Sequence, residues 1–114
     1  ELLKPVRTMS IHAICGGREC NNYDGPAESL AAMLSEHNGY PVVGDIGYPT
    51  PGSFESWIGD DQGIPSITLE LPKAVLGDEC WARNDDALRA FITSDGNAAP
   101  VASETPDDKG ASAK

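Results

Sequence analysis

Cations are scarce in this chain: eight Lys and Arg stand against eighteen Asp and Glu in 114 residues, a formal charge of −10. A surface of that sign repels phosphate backbones and anionic headgroups, which argues against nucleic-acid or membrane-surface partners. Long hydrophobic runs are missing as well. No stretch approaches the roughly 18 to 20 apolar residues of a membrane-spanning helix. The three cysteines, Cys15, Cys20 and Cys80, are too few for a disulfide framework, and their odd number leaves at least one thiol free or paired outside the chain. The spacing of Cys15 and Cys20 in ICGGREC is open to incidental buried thiols, a local disulfide or two metal ligands. There is no Ser-centred nucleophile elbow, phosphate-binding loop or dinucleotide glycine fingerprint. The compartment stays undecided.

The most informative stretch runs from Gly47 to Pro72 and reads as loop, helix and strand in succession. In IPSITLEL, Ile67, Leu69 and Leu71 alternate with Ser66, Thr68 and Glu70, so a strand buries the first set and aims the second at another surface. A strand this rich in Ile and Leu belongs in the middle of a sheet, and an acid on it is either paired or functional. Near the start, VRTMSIHAI alternates too, with Met9, Ile11 and Ala13 on one face and Ser10 and His12 on the other. His12 and Glu70 therefore face the same kind of polar surface.

Between these strands GGRECNNYDG reads as loop, since paired Gly, Asn and Asp favour turns. A helix is predicted from Pro26 to Gly39, burying Ala27, Leu30, Ala31 and Leu34, with His37 as a surface residue in its last turn. A short strand at Pro41 to Val43 precedes a Pro- and Gly-rich loop containing Tyr48. A helix from Gly52 or Ser53 turns Phe54, Trp57 and Ile58 toward the sheet, and a last helix, from Asp78 or Glu79 to Ile92, offers Trp81, Leu88, Phe91 and Ile92 for burial. Helix and strand following at short spacing give an α/β fold, a mixed sheet with flanking helices. Residues 94–114 lack hydrophobic periodicity and read as a disordered tail.

The strand-borne SIHA, the loop and helix NNYDGPAESLAAML, then GYPTPGSFESW and DQGIPSITLELP resemble the carboxyl-terminal half of a zinc carboxypeptidase of the carboxypeptidase A type. Within that superfamily the chain is most similar to the murein tripeptide amidase branch. The resemblance implies a carboxypeptidase-like fold over residues 1–93, a zinc ion, and hydrolysis of a peptide amide bond in a murein-derived diaminopimelate peptide. By it His12 matches the last zinc ligand and Glu70 the general base. Phe54 falls where family members line the side-chain pocket, although a core Phe on the helix is an equal reading. Tyr48 lies in the loop that carries a substrate-closing tyrosine, displaced by one position when counted to the following Gly-Ser.

The family's His-x-x-Glu pair and its upstream Asn and Arg segment are absent from this sequence. One histidine cannot hold a catalytic zinc. With Glu1 in place of an initiator Met, these absences lead to the expectation of a carboxyl-terminal part whose partner is the missing amino-terminal half, inactive alone. Two alternatives stand beside it: a deacylase of the same superfamily acting on N-acyl amino acids, and a non-catalytic α/β binding or assembly module.

Overall fold

The computed structural model describes residues 4–13, 18–47 and 49–94; Tyr48, Cys15 and the tail from residue 95 onward lie outside the described residues. In chain order the elements are β1 (Thr8–Ala13), β2 (Cys20–Asp24), α1 (Glu28–Asn38), β3 (Val42–Val43), α2 (Phe54–Ser56), β4 (Ser66–Leu71) and α3 (Gly77–Thr93). A π-helical turn, Trp57–Asp61, continues α2. The four strands form one mixed sheet in the order β1-β4-β2-β3. β4 runs parallel to β1 and antiparallel to β2, and β3 is parallel to β2. This is the α/β class with a mixed sheet and flanking helices that the patterning implies.

Period-two alternation decides the faces. Met9, Ile11, Ile67 and Leu69 point to one side, where Ala27, Leu30, Ala31 and Leu34 of α1 and Ala87 of α3 close over Ile67. All four predicted α1 positions are buried. The helix stops at Gly39, whose left-handed φ of 74° lets its N–H reach the Ser35 carbonyl. At the start of α2, Ser53 accepts a hydrogen bond from Ser56 N–H, a cap that satisfies one of the helix's free donors.

Three expectations are corrected. The NNYD segment is not loop but the strand β2, lying second from the edge of the sheet. Its asparagines are buried because their amides find partners: Asn21 Nδ2 donates to Asn38 Oδ1 at 3.1 Å, and Asn22 Nδ2 to the Val43 carbonyl at 2.8 Å. Polar composition signals a turn only when such partners are lacking. Phe54 and Trp57 do not pack under the sheet; each is 49% exposed, and from that helix only Ile58 and Gly59 are buried. On α3, Trp81 and Ile92 are likewise exposed, whereas Asn84 and Ala87 take the buried places.

The π-helical turn is held against β2 by two glycines. A Cβ on Gly25 would collide with the backbone of Gly59, and one on Gly59 would come within 2.6 Å of Asp24. Gly25 also has φ of 70°, a region costly for other residues. Gly25→Ala is therefore expected to lower stability by about 3 kcal/mol from backbone strain and overpacking together. Urea unfolding of the full-length gene product measures it; a change below about 1 kcal/mol, the scale of an ordinary surface substitution, would mean that the two segments can separate.

Candidate functional site

The second face of the sheet is polar. In register across three strands it carries Ser10 and His12 from β1, Thr68 and Glu70 from β4, and Cys20, Asn22 and Asp24 from β2. β1 and β4 are parallel neighbours with His12 directly opposite Glu70, so the side chains of the two sequence-predicted residues meet. His12 Nδ1 lies 3.8 Å from Glu70 Oε2, with the imidazole half exposed and the carboxylate 13% exposed.

Glu70 is held above the usual carboxylate range. Burial is the larger cause; the nearby His12 opposes it and the Glu55 carboxylate adds to it. Although His12 and Glu70 are close enough to pair, burial outweighs their attraction. Glu70 Oε1 is buried with no hydrogen-bond partner among the described residues. Opposite Glu70 on β2, Cys20 is buried and free, its thiol pushed up by burial and then by Glu70 and Glu19. Cys80 is free as well.

Residues that the sequence reading did not single out surround this pair. Ser10 Oγ donates to Glu55 Oε2 at 3.0 Å, tying β1 to α2. Asp24, at the far end of the polar face, is raised by burial and by the Asp60 and Glu55 carboxylates, while Asp60 Oδ1 accepts from Gly25 N–H at 3.0 Å. A cleft of about 500 Å³ beside them is lined by Asn22, Asp24, Asp45, Trp57 and Asp60, among others. Ser10 could have been found from its place two residues before His12. Glu55 carries no local signal, since only tertiary packing sets its carboxylate against Glu70, and Asp24 meets Asp60 and Glu55 in the same way.

Phe54 sits at the first turn of α2, its ring tilted 49° against Trp57 with centroids 6.5 Å apart, and it is Trp57 that lines the cleft. His37 is exposed on α1. Among the described residues no group of three His, Cys, Asp or Glu side chains could hold a metal ion. His12 offers one half-exposed imidazole on the polar face of the sheet, which fits one position of a zinc site with three protein ligands.

The chain is similar to a murein peptide amidase. Murein peptide amidase A of Vibrio campbellii is 40% identical over 96 residues, 83% of this chain. The chain spans only 36% of that relative's length. No family model matches the chain, and no solved structure matches it.

The raised carboxylates give a pH dependence of definite sign. A carboxyl group that holds its proton more tightly folded than unfolded contributes stability at low pH, and that contribution is lost as pH rises through the folded value. For Glu70 and Asp24 the loss runs from the ordinary carboxylate range up to their raised values and levels off above them. Asp24→Asn is expected to flatten this decline and to stabilise the protein at neutral pH, as urea midpoints from about pH 4, the ordinary carboxylate pKa, up to about pH 8 would measure. A variant less stable at pH 7, or one with an unchanged slope, would show that the Asp24 carboxylate is well paired.

Proposed function

We propose that this chain forms part of a hydrolase acting on peptide amide bonds, with a murein-derived diaminopimelate peptide as substrate, His12 as one zinc ligand and Glu70 as general base. The observation that carries the reading is the direct opposition of His12 and Glu70 on adjacent parallel strands. The relative's name, murein peptide amidase, supports hydrolysis of a peptide amide bond.

A zinc ion at this site would polarise the scissile carbonyl and increase the acidity of the attacking water. The Glu70 carboxylate takes a proton from that water and delivers it to the leaving nitrogen, so it must be ionised first and a good proton acceptor. Its burial serves the second need, since raising the carboxyl pKa brings it closer to neutral pH. His12 projects from the same sheet face, and its exposed imidazole is open to a ligand above the sheet. Phe54, at the first turn of α2, and Tyr48 are proposed to contact the substrate. The remaining zinc ligands and substrate contacts belong to residues outside this chain, which on this reading is inactive alone.

Metal analysis and hydrolysis of a diaminopimelate tripeptide by the full-length gene product test the proposal. We expect about one zinc per molecule and its loss in His12→Ala, as removal of one of three protein ligands opens the site. A full-length product that binds no zinc removes His12 from the site and favours a non-catalytic binding module. Zinc binding with activity only on N-acyl amino acids would make it a deacylase.

A further inference from the structure

The sequence holds one Asn-Gly pair, Asn38-Gly39, and the fold sets it at the end of α1. Asparagine loses its side-chain amide most readily before glycine, because a residue without a side chain leaves its backbone nitrogen free to approach. In that reaction the Gly39 nitrogen bonds to Asn38 Cγ, the Cγ–Nδ2 bond breaks, and Nδ2 leaves as ammonia with the proton that the Gly39 nitrogen gives up. Water then opens the cyclic imide at one carbonyl or the other, to aspartate or isoaspartate. Only water is consumed.

The folded chain withholds what this reaction needs. The nucleophile is engaged, since Gly39 N–H donates to the Ser35 carbonyl at 2.8 Å. The leaving group is held too: Asn38 Nδ2 gives both its protons, to Asn21 Oδ1 and Asn84 Oδ1, while Oδ1 accepts from Asn21 Nδ2 and Tyr40 N–H. That exhausts the bonding capacity of a side-chain amide. At 2% exposure Asn38 is also closed to water and base. The product fits this place badly. A buried carboxylate has no proton to give, so the Asn84 oxygen would face it acceptor to acceptor. Asn84 cannot turn its amide round without giving up its bonds to Tyr40 Oη and the Cys80 carbonyl. Isoaspartate would further lengthen the main chain where Gly39, at its left-handed φ of 74°, closes the helix.

We propose that Asn38-Gly39 is a deamidation site which folding keeps shut, so that the amide is lost only when the end of α1 opens and the modified chain does not return to the native core. The site lies away from the polar face that carries His12 and Glu70, at the crossing of α1, β2 and α3. It is independent of the proposed hydrolysis. Each opening of this corner then carries a chance of irreversible loss, and the asparagine network sets how often that corner opens.

Peptide mapping by mass spectrometry tests it on the full-length gene product, incubated in mildly alkaline buffer with and without denaturing urea. The peptide containing Asn38 is expected to gain the mass of an acid in urea, and to do so at least about 100-fold more slowly in buffer, where the reaction waits for opening. Asn84→Ala should speed the reaction in buffer by about 10-fold, the effect of one lost buried hydrogen bond on the opening equilibrium, and leave the rate in urea unchanged. Should that variant not fold, the two rates of the parent decide by themselves. On dilution from urea, intact chains are expected to refold and deamidated ones to stay out of the folded fraction on size exclusion. Equal rates in buffer and urea overturn the proposal, as does the absence of reaction in urea. Deamidated chains that refold with the parent's urea midpoint overturn it as well, since the core would then accept the carboxylate.

Discussion

Glu70→Gln in the full-length gene product is expected to lower kcat by about 10²- to 10⁴-fold, the range in which a positioned general base contributes. The amide keeps the size of the side chain and cannot accept the water's proton at neutral pH. If His12 holds zinc as proposed, zinc content should be unchanged, because Glu70 lies beside His12, Oε2 to Nδ1 3.8 Å, and is proposed as base and not as ligand. KM should move little if Glu70 acts on the reacting water and not on the ground-state substrate. Stability at neutral pH should rise, since a buried carboxylate that must ionise is removed. A Gln variant with near-normal kcat would remove Glu70 from the chemistry, while one that loses both zinc and turnover would make it a support for the metal site.

Asn38→Ala should be the most damaging single truncation in the core, at about 3 kcal/mol or more. Asn38 is 2% exposed at the end of α1. Its Oδ1 accepts from Asn21 Nδ2 at 3.1 Å and from Tyr40 N–H at 2.9 Å. Its Nδ2 donates to Asn21 Oδ1 at 3.0 Å and Asn84 Oδ1 at 3.1 Å. Removing it orphans groups on β2, on α3 and in the turn after α1 at once, and each buried unsatisfied group costs about 1–3 kcal/mol. The network extends further, as Asn84 Nδ2 also donates to Tyr40 Oη at 3.0 Å. Urea unfolding of the full-length product measures the loss; a cost below about 1 kcal/mol would show water replacing the amide. Because Asn21 adjoins Cys20, which faces Glu70, the variant should also weaken the proposed hydrolysis by loosening β2.

How far the site was legible depended on the range of the interaction. The two strands bearing His12 and Glu70 are readable because alternation is local, and the polar facing of both residues follows from it. That they are opposite each other is not local: it needs β4 to insert between β1 and β2, a pairing of residues 58 positions apart. β2 escaped notice because Asn21 and Asn22 look like turn residues until their partners, Asn38 and the Val43 carbonyl, are known. Trp57 and Trp81 misled in the opposite direction, since large apolar residues at helical spacing suggest a core. Here they line a cleft and a groove.

The sequence by itself determined the α/β class, the buried stripe of α1 and its end at Gly39, though not its start, which falls at Glu28 and not at Pro26, the central placing of β4, and the polar facing of His12 and Glu70. Each follows from the period of a single segment, from a capping residue, or from the burial an Ile- and Leu-rich strand demands. Only the tertiary structure decided that β2 is a strand, that His12 and Glu70 stand side by side, that Glu55 crowds Glu70, and that β1 ends the described sheet with an open edge. These are contacts between distant segments, set by hydrogen-bond partners and packing that no window of sequence contains.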